Sequence, residues 1–213
     1  MPRITFPLYL VTDRHQTGGR PLVPLLREAL EGGLQAIQLR ERDLATRSFL
    51  ALAQEVLRLT REYGALLLLN DRVDLAMALG ADGVHLRADS VPVAVARRLL
   101  GPDRVVGVSA HSVEEVVRAE ADGADFAVLG PAYETSSKRP YGPPIGLAPI
   151  GEAARRCRIP VFAIGGITPV RAQEVRREGA FGVAVISSIL SAEHVKAATH
   201  QMLDVLATSG SAG

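Results

Sequence analysis

The chain has 213 residues, enough for one large domain or two small ones, and 47% of them are hydrophobic. Lys and Arg number 24 against 23 Asp and Glu, a formal net charge of +1, which argues against the clustered basic excess of a nucleic-acid binder. The single cysteine, Cys157, excludes an internal disulfide and a multi-cysteine metal cluster, and no apolar run reaches membrane-spanning length. The N-terminus lacks a signal-peptide pattern, so a cytoplasmic protein is expected. Aromatic residues make up only 4%, which leaves Ala, Val, Leu and Ile to build the interior.

Taken in chain order, eight short apolar segments read as strands: Leu8–Thr12, Ala36–Arg40, Ala65–Asn70, Gly83–Leu86, Val105–Ser109, Phe126–Gly130, Val161–Gly165 and Val183–Ser187. Fully apolar runs of this kind suit strands buried on both faces, as in a parallel sheet. Amphipathic helical stretches lie between most of them. Ser48–Tyr63 is the clearest, with Phe49, Leu52, Ala53, Val56, Leu57 and Thr60 at helical spacing. Gly32-Gly33, Gly64, Gly80, Gly123 and Gly179 return each helix to a strand. Strand starts recur about every 20–35 residues, and eight such units fit an α/β fold of one kind, a single (β/α)8 TIM barrel. One domain over residues 1–213 is expected, with a flexible Ser/Gly-rich tail at 207–213. Pro131–Leu147 has four prolines and no helical period, and reads as a long functional loop after the sixth strand.

Barrel active sites collect at the carboxyl ends of strands. Those ends carry Thr12 and Asp13; Gln38, Arg40, Glu41 and Arg42; Asn70, Asp71 and Arg72; His85 and Arg87; and Ser109 and His111. Thr135, Ser137 and Lys138 open the long loop, and Gly165, Gly166, Ser187 and Ser188 close the ring. This inventory of cations and hydroxyls suits an anionic, phosphorylated substrate. Gly165, Gly166, Ser187 and Ser188 can surround a phosphate with backbone N–H groups, with a helix starting just beyond Thr168-Pro169. His85 reads either as a core histidine or as a base, and His111 either as a helix-start residue or as a base.

Several segments together resemble a known superfamily. They are Tyr9-Leu10-Val11-Thr12-Asp13, Gln38-Leu39-Arg40-Glu41-Arg42-Asp43, Asn70-Asp71-Arg72-Val73-Asp74-Leu75-Ala76, Gly80-Ala81-Asp82-Gly83-Val84-His85-Leu86, Gly107-Val108-Ser109-Ala110-His111-Ser112, Gly130-Pro131, Thr135 through Lys138, and Ala163-Ile164-Gly165-Gly166-Ile167-Thr168. In order and register they are similar to the thiamine-phosphate synthase and TenI superfamily. The resemblance implies a (β/α)8 barrel, a role in thiamine biosynthesis and a phosphorylated thiazole as the small-molecule partner. The even charge balance and the lack of a membrane-length apolar run argue against nucleic acid and membrane as partners, and a homo-oligomer is left open.

Two activities occur in that superfamily. The synthase joins hydroxymethylpyrimidine diphosphate to thiazole phosphate, releases pyrophosphate and uses Mg2+ to hold the diphosphate. The TenI branch includes a thiazole tautomerase, which moves a proton on a thiazole carboxylate phosphate. By resemblance, Gln38 and Arg40 match diphosphate contacts, Asn70 a pyrimidine contact and Asp71 one Mg2+ carboxylate. Thr135, Ser137 and Lys138 match the gripping loop, and Gly166 and Ser187 the thiazole-phosphate cradle. The second Mg2+ carboxylate is replaced by Ser90, the preceding Gly-Gln by Arg87-Ala88, and a lysine by Arg42. A hydroxyl is a far weaker Mg2+ ligand than a carboxylate. The loop from Glu134 to Pro144 looks closer to the TenI branch, although Pro131 stands where the tautomerase has its histidine.

The expectation is therefore a TenI-type thiazole tautomerase, an isomerase that requires no cofactor. Thiamine-phosphate synthase, with Mg2+, is the alternative, and a non-catalytic thiazole-phosphate binder the third. His111, Lys138 and Arg40 are the expected catalytic residues. Gln38, Asn70, Ser109, Thr135, Ser137, Gly165, Gly166, Ser187 and Ser188 are expected to bind substrate, and Asp71 to hold a metal only if Mg2+ binds.

Overall fold

The computed structural model describes residues 4–135 and 143–208. Eight parallel strands close into a barrel in sequence order. They are β1 (Leu8–Val11), β2 (Ala36–Leu39), β3 (Leu66–Asn70), β4 (Gly83–Leu86), β5 (Val105–Ala110), β6 (Phe126–Leu129), β7 (Val161–Ile164) and β8 (Gly182–Val185). β8 returns to β1, with Leu8 opposite Val183 and Leu10 opposite Val185. The eight expected strands are all present, with bounds shifted by at most two residues. The helices are α1 (Leu22–Glu31), α2 (Thr46–Glu62), α3 (Val73–Leu79), α4 (Val93–Leu100), α5 (Val113–Ala121), α6 (Ala148–Arg156), α7 (Pro169–Arg177), α8 (Ser187–Leu190) and α9 (Val195–Thr208).

The strand residues alternate between two apolar layers. Leu8, Leu10, Ile37, Leu39, Leu67 and Leu69 pack outward, in one cluster with Leu26, Ala53, Val56 and Leu57 of the helices. Tyr9, Val11, Ala36, Leu68, Val105, Phe126, Phe162 and Ala184 fill the barrel interior. Both faces are thus dry, which is why the strands read as unbroken apolar runs. The few aromatic residues concentrate at the axis, where the Tyr9–Phe126 and Phe126–Phe162 ring centroids are 5.3 Å apart. Gly107 is required there, because a Cβ would lie 2.6 Å from Phe126 Cε1.

The same period of two carries upward. Gln38, Asn70, His85 and Ser109 occupy interior positions at the carboxyl ends of their strands, and Arg40 and Arg87 follow in the same phase. Fold geometry alone therefore gathers them at one mouth.

Helix boundaries follow local chemistry. Ser112 caps α5 by accepting from the Glu115 amide, and Thr168 caps α7 by accepting from the Arg171 amide. Gly80 ends α3 in the left-handed region at φ 65°. α2 starts two residues before the expected Ser48, because the Phe49 amide already donates to the Ala45 carbonyl. Cys157 is buried at the end of α6, where burial pushes its thiol pKa up. No helix among the described residues is long and apolar enough to cross a membrane. α9 extends to Thr208, so the first two residues of the expected tail are helical.

Candidate active site

A hydrogen-bonded chain crosses the mouth from β2 to β4. Gln38 Nε2 donates to Asn70 Oδ1 at 3.0 Å, and Asn70 Nδ2 donates to Asp71 Oδ2 at 2.9 Å. The Arg87 guanidinium donates through Nε to the same Asp71 oxygen at 2.5 Å. Asp71 Oδ1 accepts from the Ser90 hydroxyl and, at 3.3 Å, from the Arg87 amide. Asp71 itself sits at φ 59°, an uncommon conformation for a residue with a side chain, here held by these contacts. Burial alone would raise its carboxyl pKa. The bonds from Ser90 and Arg87 outweigh burial and leave it lowered, hence ionised.

Arg40 lies beside this chain. Its amide donates to Thr12 Oγ1 at 2.9 Å, which ties β2 to β1. Burial, reinforced by the Arg42 and Arg87 cations, lowers its pKa. Among the described residues, Arg40 forms no ion pair. A half-buried guanidinium in that state favours an anion.

The other half of the mouth is the loop after β7. Gly165 and Gly166 adopt φ 101° and 66°. A Cβ on Gly165 would lie 2.7 Å from Pro131 Cβ, and one on Gly166 3.0 Å from both the Glu134 carbonyl and Tyr133 Cβ. Glycine is needed there because the loop from β6 crosses directly over. That loop is strapped down by Ala132 N to Ile164 O at 2.7 Å and Tyr133 N to Gly165 O at 3.1 Å. Arg171 braces both. It donates to the Gly166 carbonyl at 2.7 Å and lies 4.4 Å over the Tyr133 ring, whose hydroxyl donates to Glu174. Burial and the Glu174 carboxylate push the Tyr133 pKa up to about 12, so the phenol stays protonated.

Sequence reasoning missed the Arg171–Tyr133–Glu174 brace, which joins side chains 41 residues apart and has no local signal. It also placed Ser188 only as an amide donor, whereas its hydroxyl donates to the Ile167 carbonyl. Ser187 opens α8 beside it. Thr135 stands in the first described part of the long loop; Ser137 and Lys138 lie outside the described residues. Ser109 is hydrogen-bonded to His85 Nε2 at 2.9 Å. His85 is fully buried, and burial lowers its pKa to about 3, so it is a neutral core residue. His111 is exposed at the mouth. Its Nδ1 donates to the Gly130 carbonyl at 2.8 Å, and its amide donates to Glu115.

The two-carboxylate Mg2+ site implied by resemblance does not fit these residues. Magnesium needs open oxygen ligands in near-octahedral array. Asp71 already accepts from four donors, one of them a cation. Asp89 is also paired with Arg87, at 3.3 Å. Among the described residues, no group of three or more His, Cys, Asp and Glu is placed to hold a metal ion.

Fold and site together define a (β/α)8 barrel whose mouth sets the Arg40 and Arg87 cations beside the Gln38–Asn70–Asp71 chain. The chain belongs to the TMP-TENI family, described as thiamine monophosphate synthase, whose model matches residues 8–189. It is 47% identical to the thiamine-phosphate synthase of Roseiflexus castenholzii over 94% of this chain and 88% of that one. It is 41% identical to the thiamine-phosphate synthase of Clostridium novyi over 95% of this chain and 99% of that one. The solved thiamine phosphate pyrophosphorylase from Pyrococcus furiosus superposes with a TM-score of 0.87 at 38% identity, covering 96% of this chain and 97% of that one.

These relatives overturn the tautomerase expectation. They are named as thiamine-phosphate synthases and a thiamine phosphate pyrophosphorylase, transferases rather than isomerases, at identities that extend over nearly the whole length. The TenI preference weighed one metal carboxylate and one loop, whereas similarity runs through every strand. The base role of His111 falls with the tautomerase reading.

Proposed function

We propose that the protein is a thiamine-phosphate synthase, a transferase that joins a hydroxymethylpyrimidine diphosphate to a thiazole phosphate and releases pyrophosphate. The observation that carries this reading is the near full-length similarity to the named synthases, combined with the Gln38–Asn70–Asp71 chain at the mouth. The thiazole phosphate sits against the Gly165–Gly166 loop and Ser187, held in shape by Arg171 and Ser188. The pyrimidine lies near Gln38 and Asn70. The diphosphate faces Arg40; by the family resemblance Thr135, Ser137 and Lys138 have the same role.

The chemistry is a substitution at the pyrimidine methylene. The bond from that carbon to the diphosphate oxygen breaks, and both electrons leave with the pyrophosphate. The thiazole nitrogen lone pair forms the new carbon–nitrogen bond and the ring becomes a thiazolium. No carbon loses a proton, so no general base is needed. The protein's contribution is to orient the two substrates and to place fixed positive charge where the leaving oxygen gains negative charge.

The test is direct. Purified protein is incubated with both substrates and Mg2+, and products are read by mass spectrometry. Stoichiometric thiamine phosphate and pyrophosphate are expected. Absence of both, with the thiazole phosphate still bound in calorimetry, would leave only a binder.

A further inference from the structure

The Arg87 guanidinium touches two carboxylates at once. Its Nε donates to Asp71 at 2.5 Å and its Nη2 lies 3.3 Å from Asp89. Ser90 locks this arrangement: its hydroxyl donates to Asp71 and accepts from the Arg87 amide at 2.7 Å. A divalent ion bridging two carboxylates would occupy the same electrostatic position. Here a covalently attached cation holds it, and Asp71 has no oxygen left uncommitted.

We propose that Arg87 is the resident cation of this site, and that it meets the departing diphosphate in place of a divalent metal. The proposal rests on the synthase reading. Asp71 then acts as a positioning residue: it orients the guanidinium through Nε while Asp89 takes Nη2, which leaves Nη1 for phosphate oxygens. Arginine suits this task because its planar fork matches phosphate oxygens and its charge persists at all working pH values. Arg40, half-buried and one strand pair away, supplies a second cation to the same anion. The carbon–oxygen bond breaks with its electrons on the diphosphate, and the two guanidiniums stabilise that charge without a metal ion.

The experiment uses the full chain freed of metal with EDTA. Thiamine phosphate formation is measured in EDTA and in Mg2+, and binding of inorganic pyrophosphate is measured by calorimetry in EDTA. The wild type is expected to keep its rate within about threefold on metal removal. Arg87→Gln is expected to lose about a hundredfold or more in kcat in EDTA, and to bind pyrophosphate about tenfold more weakly. Arg87→Lys keeps the charge and is expected to recover part of both, which separates loss of charge from loss of fold. Thermal melting checks that each variant is folded. A wild-type rate abolished by EDTA and restored by Mg2+ would overturn the proposal and leave the synthase reading standing. A folded Arg87→Gln with unchanged pyrophosphate affinity and unchanged rate in EDTA would overturn it too. No thiamine phosphate with or without Mg2+ would instead sink the synthase reading.

Discussion

His85 Nε2 lies 2.9 Å from the Ser109 hydroxyl, directly above the aromatic layer that fills the barrel. On its other side Nδ1 faces the Tyr9 phenol at 3.5 Å. Burial raises the Tyr9 pKa well above its ordinary value, so the phenol stays protonated. Each ring nitrogen of His85 therefore faces one neutral hydroxyl. The imidazole joins the dry barrel floor to the wet mouth, and it does so neutral.

That neutrality makes stability pH-dependent. The folded pKa is about 3, below the ordinary histidine value, so the unfolded chain binds a proton that the folded chain refuses. Stability from this group is full above about pH 6.5 and is lost as pH falls towards 3, at up to about 1.4 kcal/mol per pH unit. Urea unfolding of the wild type should show about 2 kcal/mol of such loss between pH 7 and pH 5. His85→Asn is expected to be less stable at pH 7 and to have a flatter profile over that interval. An equally steep profile in the variant would assign the loss to other groups.

Gly166 is a second position where conformation and site coincide. At φ 66° any side chain is strained, by roughly 1–2 kcal/mol. Its Cβ would press on the Glu134 carbonyl and Tyr133 Cβ at 3.0 Å, lifting the overlying loop before it reached any anion. Gly166→Ala is therefore expected to lower Tm by about 2–8 °C and to weaken thiazole phosphate by about tenfold in calorimetry. Unchanged affinity would place the phosphate elsewhere on the mouth.

The barrel was legible because burial on both strand faces writes itself as runs such as Leu66–Leu69 and Val161–Ile164. Most of the mouth was legible for a related reason: period-two alternation places Gln38, Asn70 and Ser109 inward whatever their partners. Partners were less legible. Nothing local in the sequence shows that Arg87 reaches back 16 residues to Asp71, or that Arg171 holds the Gly166 carbonyl. Seen only as a missing metal ligand, Ser90 pointed towards a tautomerase. Seen as the hydroxyl that fixes Asp71 against Arg87, it is compatible with a synthase whose cation is built in. A missing ligand thus says little about reaction class until its neighbours' contacts are known.

His111 separates the two reaction classes. Tautomerisation must take a proton from carbon, and a positioned base contributes roughly two to four orders of magnitude to such a step. The transfer proposed here forms a carbon–nitrogen bond from a nitrogen lone pair and removes no carbon-bound proton. The His111 ring is exposed and its Nδ1–H is given to the Gly130 carbonyl, a contact that ties β5 to β6. His111→Ala should cost about 0.5–1.5 kcal/mol of stability from that hydrogen bond. Its kcat for thiamine phosphate formation should stay within about threefold of wild type, with no new dependence on pH between 6 and 8. Steady-state kinetics across that range is the check. A loss of about a hundredfold in kcat at unchanged KM would mean that proton transfer limits the reaction, which the substitution chemistry does not allow.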